Sequence, residues 1–278
     1  MKKFTVKIKD KVKLTSFLKK MSLINPNFLM EIKPNDYVKS KNFNEEHTII
    51  RNLSIQFNDI FEIDQSKTDL DINELMFAGI YNISKMITYI GFVKNDDIIT
   101  FNFDENLKQY ESANKDIINY YDCINLIISN KSLKFSLPCA SFKLFNYISD
   151  SEFEILSSTE DMFYEFNISN DDMSNILKLL GTDTESEFLN IHIINNPEQE
   201  ETDIIEFNTL DWSFKNNIPG ISDGIPEDIM KEQNNIKVQI KNIKSLESDE
   251  YRIQILSNMI ILSKQKENGC LIISTISE

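Results

Sequence analysis

Apolar residues recur at one spacing in three places along the chain. Leu14, Phe17, Leu18 and Met21 stand at offsets 0, 3, 4 and 7; Ile83, Met86, Ile87 and Ile90 repeat them, and so do Met173, Ile176, Leu177 and Leu180. At 3.6 residues per turn these positions fall on one side of a helix, so each set predicts an amphipathic helix with one apolar stripe. A strand-like run ending in isoleucine precedes each: FTVKI at Ile8, LMFAGI at Ile80 and FYEFNI at Ile168. A fourth run, IKVQI at Ile240, leads into KNIKSLES, where only Ile243 and Leu246 remain of the stripe and a short helix is expected. The helices are placed at 11–24, 82–92, 170–181 and 241–248. Ser169 with Asp172 forms a helix-start signal, and Gly181 stands where a C-terminal cap is expected.

The strand ends are 72, 88 and 72 residues apart, the pattern of two halves, each internally doubled, with a connector between them. Alternating segments follow each helix, among them FLMEI, DDIITFNF, FLNIHII and YRIQILSN, and they predict half-buried antiparallel sheet. The fold class is therefore α+β: a strand, a helix and several strands, four times over. The domains are placed at 1–137 and 163–278 and the connector at 138–162. The connector holds Phe142, Leu144, Phe145, Tyr147, Ile148, Phe153, Ile155 and Leu156, too apolar for a free tether, so it is expected to pack on the surface or frame a groove. Stretches 64–74, 104–119 and 216–235 read as loops.

Charge changes the picture at the helices. The chain of 278 residues has a net charge of −15, yet the four predicted helices carry +4, +1, −1 and +1, leaving −20 on everything else. In the first helix Lys13, Ser16, Lys19 and Lys20 project from the side that the stripe leaves free. Only Arg51 and Arg252 are arginines, so bidentate readers of bases are scarce. A solvated helix face explains any one such helix; a repeat that brings several onto one surface favours weak, salt-sensitive contact with phosphates.

Other chemistry is thin. The sequence contains no G-x-G-x-x-G, P-loop, H-E-x-x-H or G-x-S-x-G motif, and the pairs Asp96-Asp97 and Asp171-Asp172 sit beside a turn and at a helix start. The two histidines have no evident partner, and Cys123, Cys139 and Cys270 lack metal-ligand or redox spacing. No enzyme, metal or cofactor is expected. The start lacks an apolar leader and no run is long enough to cross a membrane, so an intracellular protein without membrane contact is expected.

The chain resembles the sliding clamps, the processivity rings of DNA replication, most closely the two-domain trimeric phage type akin to proliferating cell nuclear antigen. The resemblance covers nearly the whole chain. It rests on VKLTSFLKKMSLINPNFLMEIKPND, on FNISNDDMSNILKLLGTD followed by FLNIHII, and on SDEYRIQILSNMIILSKQKENGCLIISTI. It implies helices lining the hole of a homotrimeric ring with antiparallel sheets outside. It implies three partners: duplex DNA held without regard to sequence, a DNA polymerase tethered for processivity, and an ATP-driven clamp loader. On this resemblance Lys13, Lys19, Lys20, Lys85, Lys178, Lys241 and Lys244 face DNA. Partner peptides would dock in a groove formed by Phe145, Tyr147, Ile148, Phe153 and Ile155 with Phe43 across it; simple core packing explains these side chains equally well. A phage-encoded clamp would work in the host cytoplasm. Asp171 and Asp172 against only Lys178 imply an unevenly charged hole. The alternative is an acidic protein-binding module or monomeric processivity subunit that closes no ring.

Overall fold

The computed structural model describes residues 1–195, 202–219 and 235–276. The chain forms two compact units, one of Met1–Glu45 with Arg51–Leu156 and one of Glu46–Ile50 with Ser157–Glu278.

In the first unit, apart from Ile49 and Ile50 at the start of β4, the elements β1 (Lys2–Ile8), α1 (Lys11–Ser22), β2 (Phe28–Lys33), β3 (Tyr37–Phe43) and β4 (Ile49–Gln56) form one copy of the repeat. A single turn, α2 (Phe57–Ile60), and β5 (Phe61–Ile63) lead to the second copy. That copy comprises β6 (Leu75–Ile80), α3 (Ile83–Gly91), β7 (Ile98–Phe103), β8 (Lys108–Glu111), β9 (Ile117–Ser129) and β10 (Lys134–Ala140), and α4 (Asp150–Leu156) follows. The second unit runs β11 (Met162–Ile168), α5 (Asn170–Thr182), β12 (Phe188–Asn195), β13 (Thr202–Asn208) and β14 (Ser213–Pro219). Its second copy is β15 (Asn235–Gln239), α6 (Ile240–Ile243), β16 (Tyr251–Leu256), β17 (Met259–Ser263) and β18 (Asn268–Ser274).

The copies exchange strands. In the first unit β1 pairs antiparallel with β7, Phe4 opposite Phe101, while β2 pairs with β6, Met30 opposite Ala78. The second unit repeats this: β11 pairs with β16, Phe166 opposite Ile253, and β12 with β15, Leu189 opposite Val238. Each leading strand is thus bonded to the strand that follows the helix of the other copy, so neither copy completes its sheet alone. The thirteen-residue β9 serves both sheets of its unit. It pairs with β8 and, in parallel, with β6 through Leu75 and Tyr120, then with β7 and β10. β10 leaves β9 at Pro138 and joins β6 at Cys139 and Ala140. Proline has no N–H to donate, which suits the point where a strand changes partner.

Each long helix spends its apolar stripe on the core. Leu14, Phe17, Leu18 and Met21 are buried; Ile83, Met86, Ile90, Met173, Ile176 and Leu180 are buried too, with Ile87 and Leu177 half-buried. Side-chain caps start all three. Asp10, Asn82 and Ser169 accept from the backbone N–H of Lys13, Lys85 and Asp172 at 2.9, 3.2 and 3.1 Å, contacts worth about 1 kcal/mol each. α1 and α3 lie antiparallel: the Lys11 ammonium donates to the carbonyls of Gly91 and Val93 at 2.9 and 2.7 Å, and at the other end Ile83 N donates to Pro26 O at 2.8 Å.

Several expectations need correction. The fourth strand ends at Gln239, and Ile240 opens a helix of one turn rather than one reaching residue 248. Gln239 supplies no side-chain cap, and bonds from Ser245 and Leu246 back to Asn242 and Ile243 turn the chain at once. Gly181 is not the cap of α5. The helix runs through it to Thr182, and the chain turns on Asp183, whose carboxylate accepts from the N–H of Glu185 and Ser186 at 3.2 and 2.9 Å. Stretch 104–119 is not one loop but contains β8 and the start of β9. Residues 216–219 of the third expected loop belong to β14, and 220–234 lie outside the described residues.

Replacing Leu18 by alanine removes a side chain with no exposure; unfolding in urea should show a loss of about 2–5 kcal/mol. Lys19→Ala on the exposed face should stay within about 0.5 kcal/mol of the parent.

Candidate nucleic-acid interface and connector surface

Because the stripes face inward, the exposed positions of the helices form a second pattern. On α1 these are Val12, Lys13, Ser16 and Lys19; on α3 they are Ser84, Lys85, Thr88 and Gly91; on α5 they are Asp171, Asn175, Lys178 and Gly181. In the first unit, whose two helices are antiparallel neighbours, that surface is lysine, small polar residues and glycine, with Val12 as the apolar exception. Lys13 pairs with Asp59 at 3.0 Å, both about half exposed, a contact that water and salt weaken. Lys19 and Lys85 are exposed, the Lys85 ammonium lying 5.8 Å over the Tyr89 ring, and Lys20 is half-buried. In the second unit Lys178 and Lys241 are exposed, Lys241 pairing with Glu46, and exposed Lys244 donates to the Asp183 carbonyl at 3.4 Å. Lys11, counted with the basic helix charge, is spent on the last carbonyl of α3, Gly91, and on that of Val93 just beyond it.

The acids of α5 are less free than the sequence suggests. Asp172 is half-buried and accepts from Ser169 Oγ at 2.6 Å and Asn216 Nδ2 at 2.7 Å. Asp183 at the far end is held down at about 2 by the hydrogen bond from Thr209, helped by the Ser186 N–H.

The connector is fixed to the first unit by charges that periodicity does not reveal. Glu31 on β2 and Lys39 and Lys41 on β3 are buried. Lys39 Nζ lies 2.7 Å from Asp150 Oδ2 and 3.4 Å from Glu31 Oε1, and Lys41 Nζ lies 2.6 Å from Asp150 Oδ1. Lys41 also donates to the carbonyl of Ile148 at 2.8 Å. The phenols of Tyr37 and Tyr147 donate to Glu31 at 2.6 and 3.3 Å. Burial, reinforced by the Glu31 charge, raises both phenols far above their usual range. Burial lowers Lys41 against the pull of Asp150, while Asp150, though itself partly desolvated, is held below the ordinary carboxylate range by bonds from Lys39 and Lys41. Two cations and two anions balance, as a buried cluster requires.

Upstream, Asp122 accepts from Phe142 N, Ser141 Oγ and Lys108 Nζ at 3.0, 2.9 and 3.1 Å. Phe77, Tyr110, Tyr120, Phe142 and Tyr147 form one aromatic cluster. At Gly79 a Cβ would lie 2.4 Å from both the Ala140 carbonyl oxygen and the Phe145 ring, so only glycine admits this approach.

Among the side chains expected to line a groove, Phe145 and Tyr147 are brought together in this cluster's rim, half-buried. Ile148 is half-buried, and Phe43 is half-buried on the β3 face that carries Lys39 and Lys41. Phe153 is buried on the inner side of α4, with the Lys41 ammonium 5.9 Å from its ring. Ile155, on the opposite side of α4, is 69% exposed, and so is Leu144, which was not among the groove residues. Glu31 inside an apolar strand, and lysines two apart in YVKSKNF, are the signals that would have found the buried cluster.

Asp150→Asn leaves two buried ammonium groups short of a charge, at about 1–3 kcal/mol, and hydrogen exchange in 141–156 should rise. In the parent chain the depressed Asp150 carboxyl stabilises fully above its unfolded value near pH 4 and loses that contribution as pH falls through its lower folded value. The same exchange should therefore rise below about pH 4 in the parent and be less pH-dependent in Asp150→Asn. Gly79→Ala should loosen the same segment without acid.

No protein-family model matches the sequence, and no curated protein sequence matches it. Solved structures do. The proliferating cellular nuclear antigen of Entamoeba histolytica superposes with a TM-score of 0.62 at 10% identity, all of both chains being covered. The A. fulgidus PCNA, solved with the C-terminal region of FEN-1 bound, gives 0.62 at 8% identity over 99% of each chain. The C. crescentus beta sliding clamp gives 0.61 at 12% identity, and this chain, wholly covered, spans 66% of it. From end to end, the chain has the fold of the DNA sliding clamps.

Proposed function

We propose that this protein is a sliding clamp: copies of the chain close around duplex DNA and tether the replicative DNA polymerase, conferring processivity by topology rather than catalysis. The observation that carries this reading is the whole-length agreement with clamp folds in a chain whose long helices turn their apolar sides inward. Lys13, Lys19, Lys20, Lys85, Lys178, Lys241 and Lys244 are the proposed DNA-facing cations. Lysines at exposed helix positions give mobile point charges that follow any phosphate backbone without reading bases. The acidic remainder of the chain repels DNA from other surfaces.

The chain is taken to form a homotrimer of two-domain protomers, divided as 1–137 and 163–278 around the connector, and to be placed on DNA by an ATP-driven loader. Partner peptides are proposed to dock beside the connector. Phe43, Phe145, Tyr147, Ile148 and Ile155, with the exposed Leu144, offer apolar contact there, and Phe153 holds α4 beneath them. The solved complex of the A. fulgidus clamp with the C-terminal region of FEN-1 supports a peptide-binding role of this kind. A phage origin and action in the host cytoplasm rest on the resemblance to two-domain phage clamps.

Light scattering should return a mass of three chains, and the loaded protein should be retained on nicked circular DNA and lost when that DNA is linearised. A monomer at every concentration, with loader and DNA present, would overturn the ring. Replacing Lys13, Lys19 and Lys20 together by glutamate should leave the urea midpoint nearly unchanged. The triple variant should reduce loading or processive synthesis at least about tenfold, since it reverses three phosphate contacts.

A further inference from the structure

We propose that Arg51 is a positioning residue for duplex DNA: its buried guanidinium cancels the negative end of α1, so that phosphates meet the lysines of that helix and not the field of its carbonyls. The inference rests on the reading of α1 as a DNA-facing helix and adds to it a residue that touches no DNA.

Arg51 stands on β4, is 2% exposed and is among the largest fully buried side chains of the protein. Among the described residues no carboxylate pairs with it. A buried cation without an anion is costly, so something else must balance its charge. Its Nη1 donates to the carbonyl of Lys20 at 2.7 Å, in the last turn of α1. The last four carbonyls of a helix lack partners within it, and with the aligned peptide dipoles they amount to about half a negative charge. The end of α1 is therefore the counter-charge of Arg51.

Hydrogen bonding alone does not call for a cation here, because neutral donors serve the neighbouring carbonyls. Ser22 Oγ donates to the Lys19 carbonyl at 2.6 Å. Asn42 Nδ2, from β3, donates to the carbonyls of Met21 and Asn25 at 3.2 and 3.3 Å. What arginine adds over a third such donor is its charge.

The other long helices are finished in the same way. Lys11 covers the carbonyls of Gly91 and Val93 where α3 ends, and Lys244 donates to the carbonyl of Asp183, which caps α5, at 3.4 Å. Each negative end thus meets a cation supplied by another part of the chain. Lysines in a last turn often fold back onto their own final carbonyls. With Arg51 in that place, Lys19 is left exposed on the outward face. The division of labour is between a buried cation that offsets the helix end and exposed ones that meet phosphates.

The test is fluorescence anisotropy of a short labelled duplex at low salt, with thermal unfolding of each variant as control. Arg51→Gln, which keeps a donor and loses the charge, should weaken duplex binding about two- to fivefold. Arg51→Met should do the same, and should either neutral variant fail to fold, the other carries the test. The slope of log affinity against log salt should fall by less than the roughly 0.9 of a lost phosphate contact, because the charge acts at a distance and is screened. Arg51→Lys should restore affinity to within about twofold of the parent, whatever its melting midpoint. Asn42→Ala strips a neutral donor from the same helix end; it should lower the midpoint and leave duplex affinity within about twofold. Neutral variants that bind duplex as tightly as the parent would overturn the proposal. So would losses as large in Arg51→Lys or Asn42→Ala, since binding would then follow packing and not charge. Retention on circular duplex is read on the parent: its absence overturns the clamp and this role together, whereas retention with indifferent neutral variants overturns the role of Arg51 alone.

Discussion

A helix with a single apolar stripe can be buried on one side only, and this constraint organises both units. Once Leu14, Phe17, Leu18 and Met21 are committed to the sheet, Lys13, Ser16 and Lys19 have nowhere to point but outward. The exchange of leading strands then fixes where each helix lies. A helix follows β1, but β1 is bonded to β7, which follows the other helix, so the two helices of a unit are carried to the same side. Outward basic faces are thus a consequence of packing, and the composition of those faces is left free to serve function.

The connector illustrates the opposite solution. Its attachment depends on a balanced set of charges, three of them buried and Asp150 exposed, rather than on an apolar stripe, and buried charges are costly unless each is satisfied. Glu31 has two phenols and an ammonium, and Asp150 has two ammonium groups. Asp150 is itself accessible to solvent, so the cluster can be reached by protons and ions from one side. Phe153 adds apolar contact from within. Together they hold Ile155 and Leu144 outward, where a flexible tether would let them collapse onto the protein.

The sequence revealed the elements whose period is unmistakable and missed those whose side chains are atypical for their setting. The helix stripes and most strands were legible because 3.6-residue and two-residue periods survive without tertiary information. β3 was not, since YVKSKNF places lysines where a buried strand face normally has apolar residues, and partners from elsewhere in the chain, Asp150 lying 111 residues beyond Lys39, make them tolerable. α4 was concealed in a stretch whose apolar residues serve two sides, Phe153 inward and Ile155 outward. Gly181 looked like a cap because glycine often is one, but the Asp183 carboxylate performs the turn. The proposed DNA-facing residues came from the resemblance to clamps, with charge and helix phase pointing the same way for the first helix; what phase could not show is that Lys11 is occupied and that Lys13 and Lys241 carry weak partners.

Lysine in place of arginine gives the exposed helix faces of the first unit a common character. Apart from Val12, lysine stands there among serine, threonine and glycine, which leave room for a smooth backbone and offer nothing to a base. Under the proposed function, a cation at such a position attracts phosphates without fixing register, which is what movement along any sequence requires.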